Sequence, residues 1–136
     1  MRAPQSLPRP LAIRLVQWVV VLLGVWNFGR AAALWRQLGW IEELPLVPEP
    51  RIRLMIAFVW GFLFLASAMA LRSGLPQTRI LLPLLLAAYG VYEFGIIALY
   101  STERSAILLI LSYGLMTLIA SWVLIRPAAR AYFQTD

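Results

Sequence analysis

The sequence predicts an all-α fold: a four-transmembrane-helix bundle built from two duplicated helical hairpins of parallel topology. Three observations predict it. The chain is 62% hydrophobic and 13% charged, where a soluble domain is about half apolar and about a quarter charged. Its apolar residues collect into four stretches, about 12–35, 54–71, 80–100 and 106–126. Each is close to the roughly 20 residues that cross about 30 Å of hydrocarbon. Finally, residues 24–29 read GVWNFG and residues 90–95 read GVYEFG. Backbone amides in lipid must be satisfied within the protein, and apolar runs of this length without alternation mean helices rather than barrel strands. Residues 1–136 thus form a single integral membrane domain, with nothing left over for a soluble core.

The elements follow in chain order. Residues 1–10, MRAPQSLPRP, carry three prolines and two arginines and read as a flexible arm. Arg2, Arg9 and Arg14 ahead of an apolar run, with Ala31-Ala32-Ala33 beyond it, have the outline of a secretory signal. The run is longer than the usual 7–15 residues of such a segment. Arg30 also sits just before the supposed cleavage site, and the same segment returns uncut as the third span. We therefore read residues 12–35 as the first transmembrane helix. The loop 36–53 follows. Leu34, Leu38, Ile41 and Leu44 stand at helical spacing, which predicts a short helix lying in the interface. Pro45, Pro48 and Pro50 then predict an extended return. The second span covers 54–71 and the third 80–100, with Pro83 expected in the third's first turn. The fourth covers 106–126, and residues 127–136 are left as a C-terminal tail. The short connections RSGLPQTR and STERS make consecutive helices antiparallel neighbours.

Orientation rests on arginine, since all twelve basic residues are Arg. With the amino terminus in the cytoplasm, Arg2, Arg9, Arg14, Arg72, Arg79, Arg126 and Arg130 lie inside. Arg30, Arg36, Arg51, Arg53 and Arg104 lie outside or in the outer half of the membrane. This bias favours both termini in the cytoplasm. The net charge of +6 comes from arginines at the ends of apolar segments. There they anchor helices against lipid phosphates, so the charge points to the bilayer as partner and not to nucleic acid.

The repeat reaches beyond the hexapeptide. Val25-Trp26-Asn27-Phe28-Gly29 aligns with Val91-Tyr92-Glu93-Phe94-Gly95, and Trp60-Gly61 in the second span answers Tyr113-Gly114 in the fourth. Each copy reads as a hairpin starting on the same side of the membrane, which predicts a pseudo-two-fold axis along the membrane normal. Gly24 and Gly90 lie one turn before residues 27 and 93 on the same helix face. Small residues there let a neighbouring backbone approach, so both are expected helix-contact glycines.

Depth gathers a candidate intramembrane polar cluster. Asn27 lies eight residues before Trp35, and Glu93 seven before Tyr100. Aromatics at the interface therefore place both polar groups roughly 10–12 Å inward. One layer then holds Asn27, Arg30, Trp60, Tyr89, Tyr92, Glu93 and Tyr113. An unpaired charge at bilayer depth costs at least about 2.5–3.5 kcal/mol. Arg30 pairing with Glu93 relieves that cost. So do Arg30 snorkelling to phosphates and a protonated Glu93 bonded to a tyrosine, and a site for substrate or protons is a further alternative.

The chain has no cysteine and no histidine. This removes thiolate metal sites, His-ligated haem, disulfides, and Cys–His or Ser–His catalysis. No phosphate loop or nucleophile elbow is present, and Glu93 is the sole carboxylate in the four spans. The expected protein is therefore non-enzymatic, with no cofactor and no metal. Its expected role is a structural or accessory subunit of a larger membrane assembly, docking through a polar surface from Glu42-Glu43 to Arg53. A small proton- or cation-coupled transporter using Glu93, built as a homo-oligomer, and a lipid- or quinone-binding module are the alternatives.

With Gly-Val-Trp-Asn at 24–27, Tyr-Gly-Val-Tyr-Glu at 89–93 and Arg-Pro-Ala-Ala-Arg-Ala-Tyr-Phe at 126–133, the chain resembles uncharacterised small bacterial four-helix integral membrane proteins. The resemblance covers most of the chain. It implies the fold and a bacterial inner membrane, and no particular activity. The chain departs from the small multidrug transporters, whose essential glutamate lies in the first helix, where this sequence has none.

Overall fold

The computed structural model describes residues 10–41, 49–100 and 105–133. Among these residues the chain is all-α. The helices are α1 (Leu11–Ile41), α2 (Pro50–Arg72), α3 (Thr78–Tyr100), α4 (Ser105–Ile125) and α5 (Pro127–Phe133). The first four are each long and apolar enough to cross a bilayer, so the chain is a multi-pass integral membrane protein. Two compact units emerge. One is residues 17–72; the other joins the N-terminal residues through Val16 to everything from Ser73 onward.

α1, from Gln17 onward, and α2 form a hairpin in the first unit; the opening turns of α1, through Val16, belong to the other. The Pro10 carbonyl, at the helix entry, accepts the amides of Ile13 (3.0 Å) and Arg14 (3.2 Å). No proline follows within α1, and the helix runs for 31 residues. That is about 46 Å, longer than the hydrocarbon. This corrects the expected boundary at Trp35. Residues 36–41 continue the same helix instead of starting a separate one; Leu44, the last residue of the expected interfacial helix, lies outside the described residues. Residues 42–48, with Glu42, Glu43, Pro45 and Pro48, lie outside the described residues, as do residues 1–9, 101–104 and the last three positions.

α2 starts at Pro50, four residues earlier than expected. Proline at the first helical position loses no hydrogen bond, since that amide has no partner within the helix. Pro50 therefore opens the helix rather than extending the return. The Glu49 carbonyl accepts Arg53 N–H (3.1 Å). The buried residues of α2 are Pro50, Leu54, Ala57, Gly61, Phe64, Ala68 and Leu71. Their spacing alternates four and three, the seam of a helix wrapped against one partner. Ala31 of α1 packs with Leu54 and Ala57, flanked by Leu34 and Leu38. α2 ends at Arg72, which favours the negative end of the helix dipole. The chain then turns through Gly74 at φ 72°, a left-handed conformation that side chains disfavour.

In the second unit, the carbonyls of Leu75, Pro76 and Gln77 catch the first amides of α3. α3 therefore begins at Thr78, and Pro83 sits six residues in, not in the first turn. Its missing amide leaves out the bond that would reach the Arg79 carbonyl. Arg79 ties the two ends of this unit together: its Nε donates to the Leu124 carbonyl at 3.3 Å, satisfying a group in the last turn of α4. Pro127 has no amide with which to continue α4, so the helix stops at Ile125 and α5 starts afresh. The expected tail is thus helical from Pro127 to Phe133, with Ala129 and Phe133 buried. Arg126 lies at the junction, its guanidinium 3.5 Å from the centre of the Trp122 ring.

Candidate functional site

The polar layer expected from the sequence divides between the two units. Asn27, Arg30 and Trp60 belong to the α1–α2 hairpin; Tyr89, Tyr92, Glu93 and Tyr113 belong to the unit of α3, α4 and α5.

In the α1–α2 hairpin the glycines set the packing distance. A Cβ on Gly24 would lie 3.1 Å from the Leu65 side chain and 3.4 Å from the Gly61 carbonyl oxygen, so α2 passes close against α1 there. Gly61, which the sequence offered only as part of the repeat, is tighter still. A Cβ on it would meet the Phe28 ring at 2.9 Å. Phe28 is half-buried and packs against α2. Its ring fills the notch above Gly61 and is held edge-on by Phe58 (5.8 Å between centroids) and Phe62 (5.2 Å). Aromatic pairs favour this T-shaped geometry. Asn27 is 1% exposed, and its Nδ2 donates to the Leu23 carbonyl one turn back, at 2.9 Å. Arg30 is half-buried, and Trp60 stacks on Phe64 at 6.0 Å.

In the second unit Tyr113 is the hub. Its hydroxyl donates to the Leu86 carbonyl of α3 at 2.8 Å. To reach that oxygen the ring must cross α3 one turn further on, at Gly90. A Cβ on Gly90 would stand 2.9 Å from Tyr113 Cε1. The glycine is therefore what lets the phenol cross to the backbone. Tyr89 (5.8 Å) and Phe94 (5.5 Å, edge-on) enclose the same ring. Glu93, half-buried, lies within electrostatic reach of the Tyr113 hydroxyl, as does Tyr89. Thr117 adjoins that hydroxyl too, and its own buried Oγ1 makes no hydrogen bond. One turn on, Ser121 donates its Oγ to the Thr117 carbonyl at 2.7 Å.

The structure therefore brings Tyr89, Glu93 and Tyr113 together and adds Gly90, Phe94 and Thr117 around them. Tyr92 is half-buried on the same helix. Phe94 was legible only as the repeat partner of Phe28. Chemically the cluster offers hydroxyls and one carboxyl in an aromatic wall. Among the described residues no group of three or more His, Cys, Asp or Glu side chains is placed to hold a metal ion. Comparison with protein families, with curated proteins and with solved structures finds no match.

Proposed function

We propose that the chain is a non-enzymatic structural or accessory subunit of a larger membrane assembly, set in a bacterial inner membrane with both termini in the cytoplasm. One observation carries this reading: among the described residues, five polar side chains of the spans bond helix backbone. Asn27 bonds Leu23, Ser67 bonds Leu63, Ser112 bonds Leu109 and Ser121 bonds Thr117, each within its own helix. Tyr113 bonds Leu86 on the neighbouring helix. Polar groups used this way hold helices in place and do not line a path for a polar substrate. The outer surfaces fit the same role. Only 33% of the α2 span and 11% of the α4 span are buried within the chain.

The duplicated-hairpin reading draws support from matched contacts. The first helix of each hairpin carries a packed glycine, Gly24 and Gly90, and an open one, Gly29 and Gly95. The phenylalanine between them packs on the second helix in both, Phe28 over Gly61 and Phe94 against Tyr113, although Gly114, the counterpart of Gly61, is open.

Purification from native membranes in mild detergent tests the role. A second, different chain at fixed stoichiometry is expected, with recovery falling for Glu93→Gln. The transporter alternative keeps one observation in its favour, the half-buried Glu93 among hydroxyls. It requires flux in proteoliposomes holding this chain alone, abolished by the same substitution.

A further inference from the structure

Crossing in turn, the four spans sort the charges of the chain unevenly. One end, with the half of the membrane beside it, holds five arginines and five glutamates, Arg30 and Glu93 among them. The other end holds seven arginines and, of acids, Asp136 alone, so the whole net charge of +6 falls there. Four of those arginines, Arg14, Arg79, Arg126 and Arg130, belong to the unit of α3, α4 and α5. Three of them gather at the joint between α4 and α5. Arg79 uses its Nε on the Leu124 carbonyl at 3.3 Å, two residues before Arg126. The Arg126 guanidinium lies over the Trp122 ring, 3.5 Å from its centre. At that distance the contact is made by the flat face of the guanidinium, and its N–H donors stay directed to the sides. The Arg130 amide donates to the Arg126 carbonyl at 3.1 Å, so Arg130 stands one turn further on. Arg126 and Arg130 are exposed, and Arg79 is half-buried.

We propose that this joint binds the headgroup of an acidic phospholipid, its phosphate oxygens held by Arg79, Arg126 and Arg130 and its acyl chains against α4. Charge selects the sign of the occupant. Among the described residues of that end no carboxylate stands ready for an ammonium headgroup, and Asp136 offsets one arginine at most. An anionic lipid is therefore favoured over a zwitterionic one. Depth selects a lipid. Arg79 lies in the first turn of α3 and Arg126 directly after the last residue of α4, at the ends of two spans, where headgroups meet the hydrocarbon. Guanidinium chemistry suits the phosphate, because its planar fork of N–H donors matches phosphate oxygens in pairs. Finally, Leu118, Trp122 and Ile125, spaced along one side of α4, are 69%, 58% and 57% exposed and give an acyl chain an apolar wall below the arginines. An acidic protein segment finds the same charge but has no use for that wall. The inference does not depend on the accessory role, nor on which side of the membrane this end occupies.

The test uses the full chain reconstituted in vesicles of equal parts phosphatidylglycerol and phosphatidylethanolamine, extracted gently and weighed by native mass spectrometry. Phosphatidylglycerol is expected to stay bound in preference to phosphatidylethanolamine. Arg126→Gln and Arg130→Gln, both at exposed positions that the fold does not need, are each expected to lower that preference roughly fivefold, the effect of one arginine at an anionic surface. Arg36→Gln, exposed at the opposite end, is expected to leave it unchanged. Millimolar inorganic phosphate is expected not to displace the lipid, since it lacks the acyl contact. Equal retention of the two lipids, a preference indifferent to both Arg126→Gln and Arg130→Gln, or an equal loss from Arg36→Gln would overturn the proposal. Displacement of the lipid by inorganic phosphate would make the joint a free-anion site, and displacement by a polyglutamate peptide would assign it to an acidic protein segment; either result overturns it as well.

Discussion

At the scale of single residues, glycine and aromatic side chains work as pairs. Gly90 leaves the space that the Tyr113 ring occupies on its way to the Leu86 carbonyl. Gly90→Ala must push that ring aside, and the hydroxyl tether resists. We expect a loss of about 1–3 kcal/mol, as for other overpacked sites. In a Tyr113→Phe background the ring is untethered and the loss is expected to shrink, a coupling that a double-mutant cycle in reversible unfolding measures. Gly29 and Gly95 have nothing within 4 Å of an added Cβ. Alanine there is expected to be neutral or to stabilise by up to about 1 kcal/mol, from helix propensity alone. Both packed glycines beside residues 27 and 93 were legible in the sequence, because a polar residue one turn away marks a helix contact in lipid. Gly61 was not. Its role depends on Phe28 of another helix, and local pattern carries no information about which ring will arrive.

The helices themselves were legible for a different reason. Hydropathy reports where hydrocarbon must be crossed, and it found α1 to α4 at once. It says nothing about where the hydrogen-bond ladder stops. α1 therefore runs six residues past the expected Trp35, while Pro50 and Pro127, easily read as breakers, instead stand at the first position of α2 and α5. The pairing of α1 with α2 rests on small residues facing small residues, with Ala31 against Ala57 in one buried cluster. The chain has no native cysteine, so engineered pairs report cleanly. Ala31→Cys with Ala57→Cys is expected to cross-link under mild oxidation in native membranes. Ala33→Cys, on the exposed side of α1, paired with Ala57→Cys is not. Equal cross-linking of both pairs would mean a different helix face or register.

For the whole molecule, chemistry is sparse and lipid-facing surface abundant. Leu108, Leu115 and Leu118 of α4 are among many large apolar side chains left uncovered. Lipid solvates such a face as well as protein does, so apolarity alone does not name its neighbour. What argues for assembly is the inward use of polar groups, with Tyr113 clamping α4 to α3 and Arg79 closing the far end of the same unit. Glu93→Gln keeps the shape of the side chain and removes the carboxyl. It is expected to lower recovery of the assembly with little change in the fold, which circular dichroism of the purified variant checks. The most direct measurement is the mass of the particle extracted by polymer, without detergent, from native membranes. A mass well above the 15.4 kDa of one chain, resolving into this chain and a different one at fixed ratio, is the predicted result. A particle made of this chain alone, moving protons or cations in liposomes until Glu93 is changed to Gln, would contradict it.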